Sequence, residues 1–114
     1  PEVTDPDIYV IMSQQGFEKY GVQAREDAVM VLDSDLVRSR PGCRYYEIPA
    51  TAEAKENLGR EIVANIVMMG ALVATTGVVS REAIERAVLD SVPKGTESLN
   101  SKALRRGFEL GERA

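Results

Sequence analysis

The longest apolar segment of the chain covers residues 62–79, eighteen positions without a charged side chain. Charged pairs bound it on both sides, Arg60-Glu61 before it and Arg81-Glu82 after it. A helix that is apolar nearly all round is buried on most sides. We therefore predict a central helix over residues 62–76 that ends at Gly77, covers one face of a sheet and is the most buried element of the fold.

An uncharged segment of this length is also nearly long enough to cross a bilayer. Three polar residues lie inside it, however, namely Asn65, Thr75 and Thr76. No aromatic residue stands at either end to form an interfacial belt. The flanking segments also alternate as in a globular protein that needs a central helix, so we predict no membrane span and no membrane partner.

Small residues give the central helix one narrow face. Gly70 and Ala74 lie four positions apart, and Val67 and Ala71 lie beside them, so another backbone can approach closely there. This face either fits the helix onto its own sheet or forms a subunit seam, with Asn65, Gly70 and Ala74 as the seam candidates. We expect Asn65 to be buried and to bond a loop backbone, because an unpartnered buried amide costs about 1–3 kcal/mol.

In the first half of the chain, short apolar runs alternate with polar residues that are typical of turns and helix caps. Runs at residues 7–12, 28–32 and 45–48 are rich in strand-forming side chains and predict three strands. Ser13 is placed to cap a helix over residues 14–20 with Phe17 facing inward, and Thr51 to cap a helix over residues 52–58 that closes at Gly59. Residues 1–7 resemble an exposed connector, so we expect a piece of a longer protein.

The last third of the chain is predicted to be helical. Ser80 is a good N-cap, and the spacing of Ile84, Ala87, Val88 and Ser91 predicts one core-facing side. Asn100 is expected to cap a final helix, within which Gly107 marks a close contact. The fold predicted for residues 1–114 is therefore a single α/β domain with a mostly parallel sheet, crossover helices and a helical C-terminal region.

Polar side chains follow the first two predicted strands, at the edge where parallel sheets hold ligands or partners. They are Ser13, Gln14, Gln15, Asp33, Ser34 and Asp35. Ordinary capping and turn chemistry is one interpretation, and a rim facing a cofactor or another subunit is the other. A loop over residues 37–44 carries three arginines, which are either solvated or bind an anion: Arg38, Arg40 and Arg44.

Composition limits the chemistry of this chain. It has no histidine and one cysteine, Cys43, and it lacks the glycine-rich phosphate motifs. We therefore predict no catalytic residue, no metal site and no bound cofactor on this chain. The net charge of −4 argues against a nucleic-acid partner. A lone cysteine and the absence of a secretory signal pattern favour a cytoplasmic location.

Several motifs together resemble one known family. They are Leu58-Gly59, the run NIVMMGAL at residues 65–72, and the late set Asn100, Ala103 and Gly107. Upstream, VIMSQQGFEKY and VMVLDSDLV are similar to the same family's middle strands. Nearly the whole chain thus resembles the C-terminal part of the gamma subunit of 2-oxoacid:ferredoxin oxidoreductases, with Met69 as a conservative departure.

The resemblance implies a Rossmann-like fold, and it also implies partners. The family opens with a strand and a GGQG-type turn that have no counterpart here, so the first βα unit is expected to be missing. Relatives decarboxylate a 2-oxoacid oxidatively to an acyl-CoA and reduce ferredoxin. Thiamine diphosphate, magnesium, coenzyme A and iron–sulfur clusters are implied on the alpha, beta and delta subunits, and coenzyme A phosphates are the anions implied for the arginine loop.

Three functional hypotheses remain open at this point. The first is a non-catalytic gamma subunit that helps assemble an oxidoreductase complex, with 2-oxoglutarate the preferred substrate and pyruvate the related one. The second is a stand-alone Rossmann-like module that binds a nucleotide. The third is a homodimerisation module, which would form a stable dimer without other chains.

Overall fold

The computed structural model of the chain describes residues 7–114, and the predicted connector lies outside them except for Asp7. Its strands are β1 (Ile8–Ile11), β2 (Val29–Asp33) and β3 (Arg44–Ile48). Its helices are α1 (Gln14–Tyr20), α2 (Ala50–Glu56), α3 (Ala64–Thr76), α4 (Arg81–Ser91) and α5 (Glu97–Arg113), and short 3-10 turns cover Gly21–Gln23 and Glu61–Val63. The three predicted strands and the α1 helix are thus confirmed.

The described strands form one parallel sheet in the order β1-β2-β3, as the predicted α/β class requires. Alternate residues of a strand point to opposite faces. Val31 and Ile48 accordingly join the core beneath α2, α3 and α5, whereas Met30 and Leu32 pack with Phe17 of α1 on the other face. The sheet is therefore covered by helices on one side, and by α1 and the loop after β2 on the other.

The central helix is confirmed as the main packing element. Seven of its residues are buried, more than in any other described helix or strand, and it shares a core with Val31 and Ile48. It ends at Gly77, whose φ of +64° lies in the left-handed region that favours glycine. No described helix in residues 7–114 is long and apolar enough to cross a membrane.

The small face of α3 packs against α5 of the same chain, so the first of the two interpretations, a fit onto the sheet, is wrong. A Cβ atom built on Gly70 would overlap the carbonyl oxygen of Leu104, and one built on Gly107 would overlap that of Val67. Gly70 and Gly107 thus lie against each other where the two helices cross. The predicted close contact at Gly107 is confirmed.

Two predicted N-caps are wrong, and α3 begins at Ala64 after a 3-10 turn rather than at residue 62. Thr51 lies inside α2, which begins at Ala50. The first turn of α2 is capped by side chains from elsewhere in the chain. Asn100 lies inside α5, which begins at Glu97. Ser80 does cap α4, accepting the Ala83 N–H at 3.0 Å.

The core face predicted for α4 is only partly formed. Val88 is buried and Ile84 is half-buried, but Ala87 and Ser91 are exposed. The helix contacts α3 and α5 along a narrow line because it lies at the outside of the helical layer. Helical periodicity therefore predicted the right side of α4 but too wide a contact.

Candidate functional site

The polar residues after β1 hold the neighbouring loop. Ser13 Oγ accepts an N–H from the first turn of α1 at 2.9 Å, as an N-cap. Gln14 Oε1 accepts the Arg38 N–H at 2.7 Å, and Gln14 Nε2 donates to Ser39 Oγ at 2.9 Å. Gln15 is exposed. Two of these three candidates thus bond within the chain, and both Ser13 and Gln15 are exposed to solvent.

The polar residues after β2 cap α2. Asp33 Oδ2 accepts from the Thr51 hydroxyl at 2.7 Å and from the Thr51 N–H at 3.2 Å. Asp35 Oδ2 accepts the Ala52 N–H at 2.8 Å. Two carboxylates from one turn thereby satisfy the backbone donors that the start of a helix leaves free. The Ser34 N–H donates to the carbonyl of Ile48 at 2.9 Å and ties the same turn to β3.

Asp33 is a fully buried carboxyl group. Burial raises its pKa because the charged form loses solvent, and the neighbouring charge of Asp35 adds to the rise. Hydrogen bonds from Thr51 and from the Asp35 N–H oppose it. Since both carboxylate oxygens already accept bonds from the chain, the arrangement suits a structural turn rather than an acid or base open to a substrate.

The three arginines of the loop do not converge. Arg40 donates to two loop carbonyls and pairs with Glu47 at 3.0 Å. The Arg44 guanidinium lies 5.5 Å from the centroid of the Tyr46 ring. Arg44 opens β3, three residues or about 10 Å along the strand from Glu47. Arg38 is exposed beside the end of β1. An anion-binding role for them stays a prediction.

The three seam candidates on α3 have different surroundings. Gly70 is buried against α5, and a Cβ built on Gly111 would lie 2.8 Å from Cβ of Ala74, so both Gly70 and Ala74 face the same helix of their own chain. Asn65 is exposed, and the expectation that it is buried and bonded to a loop is wrong. Asn65 lies one turn before the exposed Met69, on the side of α3 that faces away from α5. A role of these residues at a subunit contact stays a prediction.

An ion pair between α2 and α5 was not predicted from the sequence. Arg106 donates to Glu53 through two nitrogens, Nε to Oε2 at 2.7 Å and Nη2 to Oε1 at 3.2 Å. Glu53 is 7% exposed, and the hydrogen bond from Arg106 holds the pKa of its carboxyl below the usual range. The two residues are 53 positions apart, so no local pattern signals the pair.

The described side chains offer little for catalysis. Across residues 7–114, no three His, Cys, Asp or Glu side chains are grouped so as to hold a metal ion. Cys43 is a buried thiol whose pKa is raised by burial, which disfavours the nucleophilic thiolate. The arrangement at the edge of the sheet is therefore a set of caps and loop contacts.

Comparisons with known proteins show the family to which this chain is related. Residues 1–110 match the family described as pyruvate ferredoxin/flavodoxin oxidoreductase. The chain is 45% identical over 116 residues to 2-oxoglutarate synthase subunit KorC of Methanocaldococcus jannaschii, covering 98% of this chain and 62% of that protein. It is 31% identical to pyruvate synthase subunit PorC of Methanothermobacter marburgensis, covering 95% of this chain and 62% of that one.

A solved structure agrees with these sequence matches. The gamma subunit of a keto/oxoacid ferredoxin oxidoreductase from Geobacter sulfurreducens superposes with a TM-score of 0.88 at 43% identity, covering 95% of this chain and 65% of that one. The chain thus spans only about three fifths of the length of the curated relatives cited here. The resemblance seen in the motifs is confirmed, and the chain belongs to the pyruvate ferredoxin/flavodoxin oxidoreductase family.

Proposed function

We propose that this chain is part of the gamma subunit of a 2-oxoacid:ferredoxin oxidoreductase whose substrate is 2-oxoglutarate. The observation that carries the proposal is the 45% identity to a 2-oxoglutarate synthase subunit over almost the whole chain. Identity to a pyruvate synthase subunit is lower, at 31%, which favours 2-oxoglutarate over pyruvate. The complete complex would decarboxylate the 2-oxoacid oxidatively to an acyl-CoA and pass the electrons to ferredoxin.

In this proposal the subunit is non-catalytic. An iron–sulfur cluster is held by about four cysteine thiolates, whereas this chain has one cysteine, and that one is buried. The chain also has no histidine and no glycine-rich phosphate turn. One cysteine does not fit a cluster, and we assign thiamine diphosphate, magnesium, coenzyme A and the clusters to the alpha, beta and delta subunits of a cytoplasmic complex.

The subunit would contribute surface for assembly. On and just before α3, Ile62 and Met69 remain 75% and 40% exposed, although the opposite side of the helix is packed against α5. Large apolar side chains exposed together are typical of surfaces that other proteins cover. This second side of the central helix is the part of the chain that we expect to meet other subunits.

The test is to express the full-length subunit with and without its proposed partner subunits. Viologen reduction is measured with 2-oxoglutarate, coenzyme A and thiamine diphosphate. We expect turnover from the complete set, none from this subunit alone, and loss of turnover when it is omitted. Full turnover without it would refute the proposal, as would a stable homodimer or a nucleotide-binding monomer that never joins the partner subunits.

A further inference from the structure

A cavity of about 470 Å³ lies between the start of α3 and the connection from α4 to α5. Its inner wall is apolar: Val63 and Ile66 are buried, and Val92 and Leu99 are half-buried. Its rim carries Ile62, together with Met69 and Asn65. None of the contacts described above at the edge of the sheet involves this cavity.

One largely buried polar side chain, that of Asn100, opens into the cavity with its amide oxygen unpaired. Asn100 is only 7% exposed, and its Nδ2 donates to the carbonyl of Thr96 at 3.0 Å, which places Oδ1 on the other side of the amide. Among residues 7–114, no donor bonds this oxygen, yet every fully enclosed side-chain nitrogen and oxygen there has a partner. Oδ1 is therefore accessible, and Asn100 lines the cavity. An accessible amide oxygen in a mostly apolar wall can accept a hydrogen bond from a donor that enters the cavity.

The residues that line the cavity carry charge of one sign only, which is positive. Arg60 is the single charged residue among those that line it, and it takes part in none of the ion pairs of the described chain. A partner with a carboxylate near the cavity mouth would therefore meet a free cation. The cavity thus combines an apolar wall, one acceptor and one positive rim residue.

We infer that this cavity, the α3 pocket, receives a segment of another subunit. That segment inserts a tyrosine or tryptophan, whose ring fills the apolar space and whose O–H or N–H reaches Asn100 Oδ1, and an acidic neighbour pairs with Arg60. Rings with a polar tip are the usual anchors of protein interfaces. A small molecule inside the pocket would leave Ile62 bare at its rim, so a protein segment accounts for more of the surface.

This inference rests on the proposed function, because it requires partner subunits. The test uses the full-length subunit, labelled and titrated with the purified remainder of the complex. Ile62→Asp puts a charge on the rim, and Val22→Asp is the matched control, since Val22 is 64% exposed in the turn after α1 and Ile62 is 75% exposed. We expect Ile62→Asp to weaken association about tenfold or more, whereas Val22→Asp leaves it nearly unchanged.

A photo-reactive benzoylphenylalanine in place of Met69 identifies what occupies the pocket. We expect a cross-link to a segment of another subunit that carries a tyrosine or tryptophan next to an acidic residue. If the wild-type subunit assembles but Ile62→Asp and Val22→Asp bind equally well, or if a small molecule co-purifies in the pocket, the inference is overturned and the proposed function survives. If the wild-type subunit does not assemble at all, the proposed function itself fails.

Discussion

At the scale of single residues, Gly70 and Gly107 determine how closely α3 and α5 approach. Gly107→Ala would place a methyl group against the carbonyl of Val67, whereas Gly42→Ala adds one in open space with no left-handed backbone. Alanine favours a helix by about 1 kcal/mol over glycine, so any loss at position 107 comes from packing. We expect Gly107→Ala to lower the free energy of unfolding by at least about 1–3 kcal/mol in urea titrations. Equal stability of the two variants would contradict the close crossing.

The Glu53–Arg106 pair gives the chain a pH signature. The pKa of Glu53 is below its ordinary value of 4.5, so the stability it contributes is complete above that pH and is lost as the pH falls through the lower folded-state value. Glu53→Gln should lower the free energy of unfolding by about 1–3 kcal/mol at pH 7. The difference from wild type should shrink below pH 4.5.

Asp33 cannot produce the same pH signature. Its pKa is raised on folding, so its contribution to stability grows as the pH falls, opposite in sign to that of Glu53. Denaturation curves of wild type and Glu53→Gln between pH 7 and pH 3 therefore separate the two groups. A gap between the variants that stays constant with pH would mean that the ion pair does not form.

At the scale of elements, α2 begins where the turn after β2 supplies its caps. Asp35→Ala removes the acceptor for the Ala52 N–H and should cost about 0.5–2 kcal/mol, as the loss of an N-cap does. Asp27→Ala is the matched control, because Asp27 makes only an exposed pair with Arg25 at 3.5 Å, a kind of pair worth at most about 1 kcal/mol. Thermal unfolding of both variants measures the difference, and an unchanged Asp35→Ala would exclude the cap.

The elements that the sequence predicted well are those whose signals are local. The run before Gly77 and the caps at Ser13 and Ser80 depend on residues within a few positions of one another, and all three are confirmed. The start of α2 was misplaced because its caps come from Asp33 and Asp35, far away along the chain. Non-local partners of this kind leave no trace in periodicity.

At the scale of the whole molecule, the sequence predicted the parallel sheet and the family, but not which elements pack against each other. The small residues Gly70 and Ala74 predicted a close approach of another backbone, but not that this backbone belongs to α5. Asn65 was predicted to be buried but is exposed, because the sequence of an apolar run does not show whether its one amide side chain faces the core or the solvent. The pocket at the start of α3 depends on Asn100 from α5, so only the fold brings its lining together.

We propose that this chain serves an oxidoreductase through its surface rather than through chemistry of its own. Hydrogen–deuterium exchange of the full-length subunit, free and within the assembled complex, tests that claim most directly. We predict slower exchange on assembly at the Glu61–Val63 turn, the start of α3 and the α4–α5 connection, while the Gly21–Gln23 turn stays unchanged. Equal exchange rates across residues 7–114 in the two states would contradict the claim.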